Sequence, residues 1–262
     1  MPGTDSVTVA AGARYRAGDF RRWFSGDLYR DLWTTPIRVP VLDLEKYAGG
    51  LKPTKTGGGM QTKTLQFDAA DGREFVFRTV DKSGTTAPME VRKSPANSLI
   101  QDQVGAMHPA AAEIAAPIVE AAGVLHPVAT IVMMPDDARL GEYRKEFAGE
   151  LGMIEELPKS PKEGKGGFGA ATKIIESPEL LKQLETDPKD RVDGPAFLAA
   201  RLTDFLINDN DRATHQWKWA RIEGESKHEW EPIARDRDHA FVSYDGFMDS
   251  FGRRLVAVSL VK

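Results

Sequence analysis

Two neighbouring segments of the chain alternate hydrophobic and polar residues, and this alternation predicts a β-hairpin. The segments are residues 62–67 and 73–80, and the Asp-Gly pair in the connection between them is typical of a tight turn. Side chains on a strand point alternately to its two faces, so Lys63 and Arg78 each share a face with apolar residues of their own strand. We therefore expect both cations to lie on half-apolar faces that point inward.

Apolar residues spaced three and four positions apart predict helices elsewhere in the chain. Helices are expected over residues 18–31, over 98–123 with a break near Pro109, and over 141–150, 178–186 and 195–207. Asp193 is a suitable N-cap for the last of these helices. The buried stripe of that helix is predicted to consist of Phe197, Leu198, Leu202, Phe205 and Leu206.

Extended segments complete the pattern and indicate two lobes. Strands are expected within residues 37–44, 128–134 and 152–157, and a second hairpin is expected from residues 217–222 and 230–234. Residues 158–170 are rich in Pro, Gly and Lys, which is typical of a loop between two parts of a protein. The sequence thus predicts an α+β fold that consists of a linker and N-terminal helix (1–36), a strand-rich N-lobe (37–157), a connecting loop (158–170) and a helix-rich C-lobe (171–262).

The composition excludes several kinds of site but does not indicate a particular function. The 262 residues have a formal net charge of −4 and include no cysteine, which excludes disulfides, thiolate metal sites and cysteine nucleophiles. The weak acidity gives no indication of nucleic-acid binding. No apolar run approaches the roughly 18 residues that span a bilayer, so we expect a soluble chain of the cytoplasm or periplasm. Both ends indicate a fragment of a longer protein.

An acidic and amide-rich segment follows the last predicted helix, at residues 208–212 (Asn-Asp-Asn-Asp-Arg). Carboxylates at a helix C-terminus are unfavourable against the helix dipole, so their concentration here calls for a compensating cation. A solvated turn is the alternative explanation, because Asn and Asp favour turns.

A second acidic cluster follows the second predicted hairpin. Asp236 and Asp238 stand two residues apart, the spacing that places side chains on one face of a strand. An oxygen-rich pair of this kind suits Mg²⁺ or Mn²⁺. The neighbouring arginines could instead pair with these carboxylates at the surface, where ion pairs contribute little to stability.

These two clusters resemble motifs of an atypical protein-kinase-like group that contains the HipA kinases, the spore-coat CotH kinases and the Golgi casein kinase. In that group an apolar helix leads into an Asn-x-Asp loop, and a metal-binding Asp follows after a hairpin. Residues 206–212 and 236–241 have the same order and spacing. Upstream, residues 58–65 are similar to the group's glycine loop, which ends in a strand with an inward lysine.

The resemblance implies a nucleotide- and metal-binding cleft between two lobes. Asp211 would orient the acceptor hydroxyl, and the metal would be held by Asp236, Asp238 and Gln216. The phosphates would meet Lys63 and Arg78 and the backbone of Gly57, Gly58 and Gly59. The acidic partner of Arg78 would come from Gln101, Asp102 or Glu113, among which Asp102 is favoured. The implied cofactors are ATP and Mg²⁺, and the implied partners are a nucleotide and a protein or small-molecule acceptor.

Three positions depart from the pattern of the active relatives. Arg78 stands where a lysine contacts the nucleotide, Ala213 replaces a histidine, and Gln216 replaces an asparagine. An arginine binds phosphate with a different geometry from a lysine. The primary hypothesis is therefore an ATP- and Mg²⁺-dependent phosphotransferase, and a degenerate pseudokinase that acts as a binding or scaffold module is the first alternative. A metal-dependent hydrolase that uses His215, His239 and the aspartates is the second.

Overall fold

The computed structural model describes residues 5–57, 62–82, 101–102, 104–162, 167–222 and 228–247. The predicted α+β class is confirmed, because strands and helices both contribute to the described chain. The strands are β1 (Ser6–Val9), β2 (Ile37–Pro40), β3 (Leu51–Gly57), β4 (Thr64–Ala69), β5 (Glu74–Thr79), β6 (Thr130–Met133), β7 (Leu151–Glu156), β8 (Ala171–Glu176), β9 (Arg191–Val192), β10 (Trp217–Ile222) and β11 (Glu229–Ala234). The α-helices are α1 (Asp19–Ser25), α2 (Arg30–Thr34), α3 (Ala111–Ala121), α4 (Arg144–Phe147), α5 (Ser177–Thr186) and α6 (Gly194–Leu206).

A five-stranded antiparallel sheet with the strand order β3-β4-β5-β7-β6 forms the first half of the molecule. The predicted hairpin is confirmed as β4 and β5, in which Thr64 lies opposite Arg78. One face of this sheet is covered by a buried cluster that includes Leu65, Phe67 and Phe77. The opposite face carries Arg78, and it is this face that borders the cleft described below.

A second sheet has the order β8-β10-β11-β9, in which β9 pairs in parallel with β11 and the other pairs are antiparallel. The second predicted hairpin is confirmed as β10 and β11. The core beside this sheet contains Trp217, Trp219 and Trp230 together with side chains of α3. Helix α3 precedes the 158–170 loop in sequence, yet it packs with the second sheet, because its alanine face fits closely against α6.

The N-terminal part of the chain is folded against the first sheet. Strands β1 and β2 form a two-stranded ribbon, and Tyr15 and Trp33 pack in a third buried cluster. The single helix predicted over residues 18–31 is two short helices, α1 and α2. The break falls at Gly26, whose φ of 101° is accessible to glycine at little cost.

Helix α6 is oriented differently from the sequence prediction. Ala200, Thr203 and Asp204 are its buried residues, whereas four of the five residues of the predicted stripe are exposed: Leu198 (59%), Leu202 (57%), Phe205 (74%) and Leu206 (75%). Only Phe197 of that stripe packs against the second core. The cause is the carboxylate of Asp204, which forms buried ion pairs and so determines which face of the helix is turned inward.

The other sequence-based elements are present with adjusted bounds. The strands expected within 128–134 and 152–157 are β6 and β7, and the helix expected at 141–150 is a 3₁₀ turn over Ala138–Tyr143 followed by α4. In the segment expected to form the first helix of 98–123, residues 98–100 and 103 lie outside the described residues, and Val104–Ala106 form a 3₁₀ turn. Within the described chain, no helix combines the length and the apolar character that crossing a membrane requires.

Candidate functional site

A cleft borders strands β5 and β7, the segment that leads into α3, and the loop that follows β11. The space between these segments, counted together with the adjoining open solvent, is about 570 Å³. The charged side chains among its described lining residues are Arg78, Lys82, Glu155, Asp236, Arg237 and Asp238. The apolar lining residues are Trp33, Val80, Val104, Met107, Pro109, Ala112, Ala129 and Met153. One part of the cleft is therefore highly charged, and the remainder is apolar.

Arg78 forms an ion pair with Glu155 on the neighbouring strand β7. Burial alone would lower the pKa of Arg78, but the attraction of Glu155, Asp236 and Asp238 outweighs it and raises the pKa above its ordinary value. Arg78 therefore remains protonated, and it lies between the sheet and the loop that contains Asp236 and Asp238. Arg78 lines the cleft, and the carboxylate that it pairs with there is Glu155 and not Asp102.

Asp102, the predicted partner, is occupied elsewhere. Its two carboxylate oxygens accept hydrogen bonds from Arg30 at 2.7 Å each, and Arg21 approaches one of them at 2.8 Å. Both Arg30 and Asp102 are buried. Burial would raise the pKa of Asp102, but the hydrogen bonds from Arg30 and the charges of Arg30 and Arg21 lower it below its ordinary value. Asp102 therefore holds α2 in place and does not line the cleft.

Lys82 pairs with Asp238, which joins the segment after β5 to the loop after β11. The Lys82 residue is only 8% exposed, so this pair is largely withdrawn from water. Asp236 lies beside it, and no other described residue donates a hydrogen bond to its carboxylate or forms an ion pair with it. The backbone of Asp236 has a φ of 56°, a left-handed conformation that is uncommon for a residue with a side chain and is often found at functional sites.

The loop that begins at Asn208 is fixed to the Asp236 loop by buried ion pairs. Arg237 Nη1 lies 2.5 Å from Asp204 Oδ1 and 3.5 Å from Asp209 Oδ2. Arg212 Nε lies 3.1 Å from the same Asp204 oxygen, and Arg212 also pairs with Asp209. All four side chains are at least 95% buried. We call Asp204, Asp209, Arg212 and Arg237 the buried ion network.

The buried ion network is not fully satisfied. Asp209 Oδ1 and the Nε and Nη2 atoms of Arg237 are buried without a partner among the described residues. Burial raises the pKa of Asp209, even though Arg212 and Arg237 act in the opposite direction. Because Arg237 also lines the cleft, these buried donors lie close to the space that a ligand would occupy.

Asp211 lies next to the network but remains accessible. Its side chain is 45% exposed, and its carboxylate is 3.8 Å from Nε2 of His239. Gln216 is buried, and its Oε1 accepts a hydrogen bond of 2.7 Å from the backbone N–H of Ala213. The carbonyl that the sequence prediction assigned to a metal is thus used to hold the loop, and Gln216 is not among the lining residues of the cleft.

Lys63 is separated from the charged part of the cleft. The Nζ atom of Lys63 lies 2.8 Å from Glu150 Oε1, and the side chain is 48% exposed. In β4 and β5 Thr64 faces Arg78, so Lys63 points to the opposite side of the sheet. Gly57 ends β3 opposite Thr64, and Gly58 and Gly59 lie outside the described residues.

Sequence reasoning missed three charged residues of the cleft. Lys82 follows the predicted strand and carries no motif, so only its position four residues after Arg78, an even step that places both on one face of an extended chain, could have indicated it. Glu155 lies on β7, and Arg237 stands between the two predicted metal ligands. To identify the carboxylate that pairs with each cation, one needs the register of the sheet, which the sequence does not provide.

Another acidic group lies away from the cleft. Asp187, Asp190 and His228 have ligand atoms within 4.8 Å of one another. The carboxylate of Asp190, however, already accepts hydrogen bonds from Arg221 at 2.8 and 2.9 Å. The described residues do not bring His215 and His239 into a comparable group with the aspartates.

The donors of the cleft suit a magnesium ion better than a transition metal. Carboxylate oxygens are the ligands that Mg²⁺ prefers. The Asp236 carboxylate is only partly buried and forms no ion pair within the part of the chain that the structure describes, and Asp238 stands beside it. The residues present therefore fit Mg²⁺, with Asp236 as the first ligand to consider.

Comparisons with known proteins give limited guidance. No family model matches the sequence, and no curated protein matches it either. Among solved structures, the chain is similar to the crystal structure of the Helicobacter pylori proinflammatory kinase CtkA, with a TM-score of 0.36 and 11% sequence identity. The match covers 73% of this chain and 58% of that kinase, so this chain spans less than two thirds of its length.

The ion pair of Asp102 makes stability depend on pH. Because the folded-state pKa of Asp102 is lowered, its contribution is complete above the unfolded pKa of about 3.9 and is lost as the pH falls through the folded value. At pH 7 we expect Asp102→Asn to lower the free energy of unfolding by about 3 kcal/mol, since Arg30 is left buried without its counter-charge. Urea unfolding at a series of pH values should show this difference shrinking below pH about 4. A constant difference would contradict the assignment.

The buried ion network can be tested with two arginines that share one carboxylate. Arg237→Met should lower the free energy of unfolding by about 3 kcal/mol, because Asp204 and Asp209 lose a buried partner. Arg201 also binds Asp204, at 2.8 Å, but its side chain is 32% exposed. The matched variant Arg201→Met should therefore cost less than about 1 kcal/mol in the same urea titration. Equal costs would show that burial does not distinguish the two pairs.

Proposed function

We propose that this chain carries a phosphotransferase site that binds a nucleotide together with Mg²⁺. The observation that supports the proposal best is the arrangement of Arg237 and Asp236 in one cleft. Among the described residues, two buried donors of Arg237 have no hydrogen-bond partner, and no side chain forms an ion pair with the Asp236 carboxylate. Buried donors without partners are costly, and a bound phosphate oxygen would satisfy them. The accessible carboxylate would meet the cation that accompanies the phosphates.

The charge balance of the cleft favours a metal–phosphate complex over either component alone. Its described lining contains three cations, Arg78, Lys82 and Arg237, and as many carboxylates. His108 also lines the cleft, and burial lowers its pKa, which favours the neutral ring. A bare polyphosphate or a bare divalent cation would disturb this balance. A complex of the two brings both signs of charge and disturbs the balance less than the free polyphosphate does.

Each residue then has a role that phosphoryl transfer requires. Such reactions need cations on the phosphates, a held metal and an aligned nucleophile, and little covalent help from the protein. Lys82, Arg78 and Arg237 would meet the phosphates, and Asp236 with Asp238 would hold Mg²⁺, which supplies neutralisation of phosphate charge when bound. Asp211, accessible and 3.8 Å from His239, would orient the acceptor hydroxyl. The apolar part of the cleft would receive the less polar part of the ligand.

A pseudokinase that serves as a binding module is the alternative proposal. A pseudokinase would bind the nucleotide in the same cleft but would not turn it over. This alternative is favoured by Gln216, whose side-chain carbonyl accepts a hydrogen bond from Ala213 and is therefore not free to bind a metal. The hydrolase that uses His215 and His239 has less support, because the described residues do not gather these side chains into one ligand group.

Nucleotide binding should depend on Lys82, which lines the cleft, and not on Lys63, which extends from the opposite face of the sheet. We expect Lys82→Met to weaken binding of ATP in the presence of Mg²⁺ by about tenfold or more, because a charge-assisted hydrogen bond to phosphate is lost. Lys63→Met removes an equivalent charge on the opposite face and should leave the affinity unchanged. Calorimetric titration of both variants and the wild type measures this directly. A loss with Lys63→Met but not with Lys82→Met would move the phosphate site to the glycine loop, and absence of binding in the wild type would remove the proposal.

Turnover distinguishes the enzyme from the pseudokinase. Asp211→Asn should reduce release of phosphate from γ-labelled ATP about 100-fold or more while leaving ATP affinity unchanged, since general-base assistance contributes factors of this size. Asn210→Ala, an exposed neighbour in the same loop, is the control and should retain wild-type turnover. If wild-type turnover does not exceed that of Asp211→Asn while binding persists, the chain is a pseudokinase.

A further inference from the structure

The N-terminal segment of the chain reaches the edge of the cleft. Arg14 and Tyr15 lie far from Lys82 in sequence, yet the Nη2 atom of Arg14 donates to the backbone carbonyl of Lys82 at 2.7 Å. Arg14 also pairs with the carboxylate of Asp81. The ammonium group of Lys82 pairs with Asp238 in the cleft. The segment therefore contacts the backbone from which this ammonium group extends.

The hydroxyl of Tyr15 is the centre of this contact. It donates to Asp81 Oδ1 at 2.8 Å, and it accepts hydrogen bonds from Gln101 Nε2 at 2.9 Å and from Arg14 Nη2 at 3.2 Å. The same Gln101 nitrogen donates to the carbonyl of Lys82 at 2.8 Å. We call Arg14, Tyr15, Asp81 and Gln101 the Lys82 support.

The Lys82 support is built around a buried tyrosine ring. Tyr15 is 1% exposed, and its ring packs on that of Trp33 with the ring centroids 4.6 Å apart. Trp33 is held in turn by a hydrogen bond of 2.9 Å from its Nε1 to the carbonyl of Met107. Burial and the charge of Asp81 raise the pKa of Tyr15 above its ordinary value, so the hydroxyl keeps the proton that it donates. The packed ring thus fixes the position of a protonated hydroxyl.

Side chains, and not the sheet, hold the backbone at Lys82. The N–H of Val80 donates to the carbonyl of Leu151 at 3.0 Å, which is the last backbone hydrogen bond before Lys82 in the part of the chain that the structure describes. Within the same part, the carbonyl of Lys82 accepts its hydrogen bonds from the side chains of Arg14 and Gln101. The direction in which the Lys82 side chain leaves the sheet therefore depends on these side chains.

We propose that Tyr15 is a positioning residue for Lys82. Its hydroxyl orients Asp81 and Gln101, and these residues together with Arg14 hold the backbone from which the Lys82 side chain enters the cleft. Tyr15 itself is not among the described lining residues of the cleft. The inference rests on the proposed phosphotransferase function, in which Lys82 meets the phosphates. A single hydroxyl group outside the cleft then controls ligand binding within it.

The position of Lys82 can be measured without a ligand. Its side chain is 10% exposed, so reductive methylation should modify it slowly, with the 48%-exposed Lys63 as an internal reference. Tyr15→Phe keeps the ring and removes only the hydroxyl. We expect the modification rate of Lys82 relative to Lys63, measured by peptide mass spectrometry, to rise about fivefold, because the loss of one hydrogen bond favours local opening. Tyr143→Phe is the matched control, since its hydroxyl donates to Thr54 outside the cleft and should leave the ratio unchanged.

A double-mutant cycle on ATP binding distinguishes positioning from a general effect on stability. In the presence of Mg²⁺, Tyr15→Phe should weaken ATP binding about fivefold in a calorimetric titration. In the Lys82→Met background the same substitution should change the affinity by less than about twofold, because the group that Tyr15 positions has been removed. A merely structural role would weaken binding equally in both backgrounds.

Arg14 provides a second variant at an exposed position. Its side chain is 45% exposed, so Arg14→Met should fold even if Tyr15→Phe does not. We expect it to raise the Lys82 modification ratio and to weaken ATP binding as Tyr15→Phe does, because the Lys82 carbonyl loses a donor. Arg22→Met removes the same charge from an arginine that pairs with Asp27 and Asp31, and it should behave as the wild type.

Several results would overturn the proposal. One is a modification ratio that stays unchanged in the folded variants Tyr15→Phe and Arg14→Met, and another is an equal rise in Tyr143→Phe. Equal losses of ATP affinity with and without Lys82 would also overturn it. If the wild type binds no ATP, the phosphotransferase proposal fails, and the modification ratio still decides whether Tyr15 positions Lys82. Circular dichroism establishes that each variant is folded.

Discussion

The buried ion pair between Asp204 and Arg237 is the interaction on which the candidate site depends. It joins helix α6 to the loop after β11, and Arg212 and Asp209 complete the connection from the intervening loop. Removing such charges from water costs several kcal/mol per ion, so the network is stable only when every partner is in place. Asp236 immediately precedes Arg237 and adopts a left-handed backbone conformation, which the anchored arginine helps to maintain. The ion pairs of Arg237 therefore help to set the position of the accessible carboxylate.

The same network explains why the orientation of α6 could not be predicted from hydrophobicity. A stripe of leucine and phenylalanine normally indicates the buried face of a helix. Here Asp204 needs its arginine partners, and turning it inward carries Thr203 and Ala200 with it and leaves Leu202 and Phe205 outside. A pattern of apolar positions contains no information about where a distant arginine lies. The helix was predictable as an element, and its buried face was not.

The two hairpins were predictable because strand alternation and turn residues act over short distances. Their register was not, and register decides which cation faces the cleft. Thr64 lies opposite Arg78, so Lys63 lies opposite Thr79 and shares the face of Phe77. A shift of one residue between the strands would have placed Lys63 and Arg78 on one face. Lys82 takes the place beside Asp238 instead, from a segment whose sequence has no periodic pattern.

Two of the departures from the kinase-like motif, Ala213 and Gln216, are connected by a hydrogen bond. Gln216 is one methylene longer than the asparagine of the related pattern, and its carbonyl reaches back to the N–H of Ala213 at 2.7 Å. Arg212, the residue before Ala213, donates to the carbonyl of Arg235 and pairs with Asp204, so this stretch is held from both ends. The hydrogen bond of Gln216 thus helps to order the loop beside Asp211, and among the metal ligands that the motif resemblance implies it leaves Asp236 and Asp238 as the donors on which metal binding would depend.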